Sequence, residues 1–150
     1  MAEYLANAVQ SVNLNEPIIF TASIPCNKGY IYHEDETGVF ILRGITNNCF
    51  ARYQVTLDAN IALPTGADVT PLATGITENG ELRPTSRAIV TPGAAQEYNH
   101  VTSTAIITVP RGCCFQVAVR AVNPYNNGDT GTPPTAILVQ NANLIINRIA

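Results

Sequence analysis

The densest group of side chains able to do chemistry is His33-Glu34-Asp35-Glu36. Its three carboxylates are hard oxygen donors of the kind that hold a divalent cation. The run lacks the alternating Asp-x-Asp-x-Asp-Gly spacing of a calcium loop, and neighbouring side chains of an extended segment diverge. It reads as a solvated turn between a strand ending near Tyr32 and one starting near Val39. A serine nucleophile served by His33 or His100 would need an elbow of the Gly-x-Ser-x-Gly kind, and neither histidine lies near one. A cysteine nucleophile would have to come from Cys26, Cys49, Cys113 or Cys114, with an Asn or Asp to orient the histidine. Asp58, Glu78 and Glu81 could supply a carboxylate pair for glycoside hydrolysis, but nothing sets their separation. The chain also has no tryptophan, which weakens a sugar-cleaving or sugar-stacking cleft. No catalytic, cofactor-binding or metal-binding residue is assigned, and the expectation is a protein that is not an enzyme.

The four cysteines form no C-x-x-C pair, and the two histidines lack zinc-finger spacing. Cys113 and Cys114 are adjacent, so on a strand they point to opposite faces and are poorly placed to bond each other. Either could pair with Cys26 or Cys49. The favoured expectation is buried free thiols acting as small hydrophobes, since nothing indicates an oxidising compartment.

These residues have to be positioned by strands. Along Phe50–Ile61, Ala51, Tyr53, Val55, Leu57, Ala59 and Ile61 share one face. Arg52, Gln54, Thr56, Asp58 and Asn60 share the other, which is the pattern of a half-buried antiparallel strand. His100–Val109 alternates in the same way, with Val101, Ser103, Ala105, Ile107 and Val109 on one face. Cys113–Val122 follows after Pro110-Arg111-Gly112, and the spacing predicts a hairpin. Asn79-Gly80 predicts a second hairpin, between strands around Val69–Ile76 and Arg83–Val90. Shorter strands are expected at Ala8–Val12, Ile18–Phe20 and Val39–Arg43, and a long final one at Ala136–Ile149. No amphipathic helix of ten residues is visible. Some eight to ten strands joined by turns make an all-β sandwich or barrel, read as one domain over residues 1–150. Two loops, Pro64-Thr65-Gly66-Ala67-Asp68 and Tyr125-Asn126-Asn127-Gly128-Asp129, are either recognition loops or plain connections.

Composition narrows the partners. Charged residues make up 13% of the 150, about half the usual share, and the net charge is −3. Such a surface is either covered in part by other subunits or simply neutral. Lys28 is the single lysine and the arginines are scattered, so no basic cluster exists to neutralise phosphates, and nucleic acid is not expected as a partner. No apolar run approaches the length of a membrane span. The opening Met-Ala-Glu-Tyr-Leu-Ala-Asn has neither the basic nor the apolar part of a secretory signal. A place on a virion or a spore, released by lysis, would meet that condition.

In this order the segments resemble the C1q/TNF-like jelly roll, in the bacterial branch found at spore-filament tips and in phage proteins. Ile18-Ile19-Phe20 matches the opening strand, and Gly38-Val39-Phe40-Ile41-Leu42-Arg43-Gly44 resembles the strand leading to the central one. Arg52-Tyr53-Gln54-Val55-Thr56-Leu57 is similar to the family's aromatic-x-Val-x-aliphatic strand, with Arg52 where the family has glycine. Asn79-Gly80 matches its hairpin. Ile107-Thr108-Val109-Pro110-Arg111-Gly112, then Cys114-Phe115-Gln116-Val117, resembles the late pair of strands. Ala142 to Ala150 resembles the closing strand. Pro25-Cys26-Asn27-Lys28-Gly29-Tyr30-Ile31-Tyr32-His33 looks like segments from phages of gut Firmicutes.

The resemblance implies a structural homotrimer packed about a threefold axis, with outward apolar residues such as Ile106 and Val122 lining it. It implies a phage capsid decoration or head-fibre protein on the virion surface. The alternative is a trimeric receptor- or glycan-binding module on a phage, spore or cell surface.

Overall fold

The computed structural model describes residues 1–24, 29–126 and 128–150. Cys26, Lys28 and Asn127 lie outside them. Twelve strands are found among the described residues. They are β1 (Ala2–Ala6), β2 (Gln10–Asn13), β3 (Ala22–Ile24), β4 (Ile31–His33), β5 (Val39–Arg43), β6 (Phe50–Ala62), β7 (Leu72–Glu78), β8 (Glu81–Leu82), β9 (Ala88–Val90), β10 (Asn99–Pro110), β11 (Cys114–Val122) and β12 (Ala136–Arg148). All pairings are antiparallel. The first sheet runs β10-β6-β12-β1-β3, with β2 also on β12; the second runs β4-β5-β11-β7-β8, with β9 also on β7. Their inner faces close on one core, so the chain is an all-β sandwich, as its alternating pattern requires.

β6 shows why. Ala51, Tyr53, Val55, Leu57, Ala59 and Ile61 are all fully buried, while Arg52 to Asn60 on the alternate positions are exposed or half-buried. β10 pairs with it over its whole length, and β12 covers its other edge. β12 slips register between Gln140 and Asn143, where Asn141 takes a positive φ of 53°. An asparagine tolerates that geometry, and the resulting bulge keeps both halves of the strand facing the core. Between the sheets an aromatic cluster joins Tyr4, Phe20, His33 and Phe40, with Phe40 at its centre.

Two hairpin expectations separate here. Asn79 and Gly80 take φ of 51° and 86°, the pair of positive values that a tight two-residue turn requires, and Glu78 faces Glu81 across it. The strand that follows is broken: after β8 a short 3-10 turn, Pro84–Ser86, comes before β9. Proline supplies no N–H to a ladder, so it ends the strand there. Ser86 Oγ fills the gap by accepting the Ile76 N–H at 2.9 Å.

The other hairpin does not exist. β10 belongs to the first sheet and β11 to the second, so the turn around Pro110-Arg111-Gly112 carries the chain from one sheet to the other. Turn residues mark a reversal, and only partner strands decide whether the two arms pair. Gly44, at the end of β5, closes this corner: its N–H donates to Cys113 O, and its carbonyl accepts from Gly112 N–H. A Cβ on Gly44 would collide with the Pro110 carbonyl.

Ile18–Phe20 forms no strand; Phe20 itself and the preceding Pro17 make only isolated bridges, to Thr37 and Arg120. β1 and β3 carry no sequence expectation. β1 buries Ala2, Tyr4 and Ala6, two of them too small to signal a strand.

Two variants test this packing. Gly44→Ala is expected to destabilise the chain by about 1–3 kcal/mol in urea unfolding, because the new methyl must displace backbone. Thr74 is fully buried on β7 with its hydroxyl unpartnered. Thr74→Val keeps the shape and removes the unsatisfied group, so it is expected to stabilise by roughly 1 kcal/mol in the same measurement.

Candidate functional site

The side chains singled out for chemistry do not converge. His33 lies in the aromatic cluster, its ring stacked on Phe40 at 4.2 Å between centroids. Its Nε2 donates to the Thr37 carbonyl at 3.0 Å, and its Nδ1 is buried without a partner. It is thus a packed residue between the sheets. Glu34, Asp35 and Glu36 are exposed around a turn held by the Thr37 hydroxyl, which donates to Glu34 O at 2.6 Å. Among the described residues no three His, Cys, Asp or Glu side chains gather closely enough to hold a metal ion.

His100 lies on the outward face of β10. It stands 3.4 Å from Asp58 Oδ1 and 3.2 Å from Asn60 Oδ1, beside a Thr102 hydroxyl that donates to Asp58 at 2.7 Å. The one hydroxyl in the group, Thr102 Oγ1, stands 3.5 Å from His100 Nε2 but gives its proton to Asp58, so the histidine is not placed as its base. Asp58 is on the first sheet, whereas Glu78 and Glu81 flank the hairpin of the second, and Glu78 pairs with Arg83 at 2.8 Å.

The cysteine expectation is corrected. Cys49, Cys113 and Cys114 are free and exposed, not buried. They gather at the sheet-to-sheet corner, where Arg111 N–H donates to Cys49 O and Gly44 N–H to Cys113 O. That turn has to lie at the end of the sandwich, outside the core.

Two surfaces remain as candidate sites, on opposite sides of the sandwich. The first is the outward face of β10-β6-β12-β1-β3. Register rows cross it as Ile106–Gln54–Asn147 and Thr104–Thr56–Ile145–Glu3–Ile24. Ile24, Phe50 and Ile106 are exposed there at 57%, 48% and 40%, and Leu5, Leu138 and Ile145 are half-buried. Glu3, Arg52 and Asp58 are its formally charged residues, with His100 beside Asp58; most of the remaining polar positions are Thr, Asn and Gln. Val122 is not part of it. Val122 lies on β11 in the other sheet and is 6% exposed, so only Ile106 of the two residues expected at an axis lies on this face.

The second surface is a cleft of about 700 Å³ on the outer side of the β7–β11 sheet, large enough for a small ligand. Thr77, Arg120 and Val122 line it from the sheet; Leu82, Pro84 and Arg87 come from the hairpin and 3-10 turn; Asn123, Tyr125 and Asn126 come from the loop after β11. Tyr125 ties that loop down through its hydroxyl, 2.9 Å from Thr70 Oγ1. The loop at Pro64–Asp68 lines no part of this cleft; Gln96 Nε2 donates to its Thr65 Oγ1. Arg87 and Arg120 were silent in the sequence, where they are two of seven scattered arginines. They meet only because the break at Pro84 and the pairing of β7 with β11 bring them to one hollow.

The fold has a counterpart among solved structures. The globular domain of zebrafish complement 1qA aligns over 96% of this chain and 94% of its own length, with a TM-score of 0.58 and 13% identity. The chain has a C1q-like fold. No protein-family model matches it, and no curated protein is similar to it in sequence. At this identity the likeness carries the architecture, two antiparallel sheets in a jelly-roll sandwich, and not the chemistry of the loops.

Exposure of the three cysteines is checked directly. A maleimide is expected to label Cys49, Cys113 and Cys114 in the native protein without denaturant, read by peptide mass spectrometry. Protection of any of the three until unfolding would contradict their placement.

Proposed function

We propose that this chain is a structural surface protein that assembles as a homotrimer through the outward face of β10-β6-β12-β1-β3. The observation that carries the reading is the combination on that face of exposed Ile24, Phe50 and Ile106 with little formal charge. Apolar surface gains from leaving water, and an interface core is depleted of charge for the same reason. The chain-wide figure of 13% charged residues fits a protein with part of its surface covered. The resemblance of the segments to C1q/TNF-like domains supplies the threefold arrangement.

The finer reading is a decoration or head-fibre protein of a phage capsid, exposed on the virion. Its support is the resemblance of the sequence segments to phage relatives. The mechanism would be mass action: a trimer that binds only the assembled shell stabilises it. The second reading, a receptor- or glycan-binding module, is favoured by the cleft. A trimer through the first sheet turns its three clefts outward, because the cleft lies on the opposite sheet, and three weak sites then act together. Binding to purified empty capsids favours the first reading, and binding to host cell walls the second.

Light scattering after size exclusion is expected to give three times the 16.0 kDa chain mass. Ile106→Glu places a charge on the β10 side of the face, beside Gln54, and is expected to yield a folded monomer, with an unchanged circular dichroism spectrum. A wild-type monomer, or an Ile106→Glu trimer, would remove the proposed assembly face.

A further inference from the structure

Arg87 and Arg120 are half-buried residues that line one cleft, and neither has a carboxylate partner among the described residues. Both are held by neutral groups instead. Arg120 donates from Nε to Thr77 Oγ1 at 3.1 Å and from Nη1 to Asn15 O at 3.0 Å. Arg87 donates from Nη1 to the carbonyls of Asn123 and Tyr125 at 3.3 and 3.4 Å, and from Nη2 to Asn126 Oδ1. A guanidinium carries five N–H donors, so each retains donors beyond these bonds. The Asp129 carboxylate accepts the Asn126 N–H at 2.8 Å on the same loop but pairs with neither arginine.

The rest of the lining repeats the pattern. Asn123 Oδ1 is engaged by Tyr125 N–H and Asn126 Oδ1 by Arg87, which leaves their amide NH2 groups as what these side chains can offer. The cleft is therefore rich in donors and poor in acceptors. Leu82, Pro84 and Val122 add apolar surface beside them. A ligand that fits combines a planar anionic group for the guanidinium forks, hydroxyls for the amides, and a face able to lie on apolar side chains. A polyanion fits poorly: the chain carries −3 overall, and Glu78 and Glu81 line the hollow next to the cleft.

We propose that this cleft binds the carboxylate of an acidic saccharide, with Arg87 and Arg120 as the cationic recognition groups. The proposal concerns each chain by itself and stands whether or not the outward face of the first sheet forms a trimer. If Arg87 served only to tie down the loop after β11, a neutral donor at that position would leave sugar binding unchanged.

The experiment is an amide-resolved NMR titration of the full chain with N-acetylneuraminic acid and with digalacturonic acid at physiological ionic strength. Galactose and inorganic phosphate serve as the neutral and the non-saccharide comparison. Saturable shifts are expected at the amides of Leu82, Arg87, Arg120 and Asn126 with at least one acidic sugar, and weaker or none with galactose or phosphate. Arg87→Gln and Arg120→Lys are each expected to raise the apparent Kd about tenfold or more, since each removes or misplaces a charge-assisted fork. Arg87→Gln, which keeps a donor for the loop carbonyls, decides the matter should Arg120→Lys disturb the fold. The proposal is overturned by absence of saturable shifts with both acids, by equal shifts with galactose or phosphate, or by an Arg87→Gln protein that binds as tightly as the wild type.

Discussion

Everything in this molecule depends on β6 being buried on one face only, with a full-length partner on each edge. Its inward side chains, from Ala51 to Ile61, hold the centre of the core at zero exposure. Each backbone amide that enters that apolar space needs a partner, because an unpaired buried N–H costs about 1–3 kcal/mol. β10 and β12 supply those partners over 12- and 13-residue strands. The same alternation that fills the core places Gln54, Thr56 and Asp58 on the outside, where β10, β12 and β1 extend the face. One strand thus sets both the core and the proposed assembly surface.

The second sheet is less regular, and the irregularity makes the cleft. β5 leaves β11 after Ala118, and the segment after β2 takes over that edge: Ile18 N–H donates to Val119 O and Asn15 N–H to Ala121 O. On the other edge Pro84 ends β8 after two residues, and the chain turns back to lay β9 beside β7. Between these two departures lies a stretch of outer sheet that no strand covers. Arg120 emerges there from β11, and Arg87 reaches over from the turn to hold the loop at Asn123–Asn126. A fully regular hairpin after Asn79-Gly80 would have removed the walls of the cleft.

The two surfaces follow different chemistry. The first-sheet face is broad, weakly charged and carries large apolar groups, as suits contact with another protein. The cleft is concave, with a few cationic donors beside apolar side chains, as suits a small polar ligand. Because the sheets stack face to face, the two surfaces point in opposite directions, and occupying one leaves the other accessible. A scaffold of this kind can be assembled and can bind at the same time.

By itself the sequence determined the all-β class, the long strands β6, β10 and β12, the face of each that goes inward, and the tight turn at Asn79-Gly80. These depend on neighbours one or two residues away: a period of two either matches a pleated sheet or does not, and an Asn-Gly pair accepts positive φ wherever it occurs. Only the tertiary structure decided which strands pair. Pro110-Arg111-Gly112 has the same turn chemistry whether its arms form a hairpin or pass to different sheets, and the choice belongs to β6 and β7, distant in the chain. It also decided that Val122 is covered, that the three cysteines at the corner are exposed, and that Arg87 and Arg120 share one cleft. Those outcomes are set by contacts between residues tens of positions apart, for which a single sequence carries no local signal.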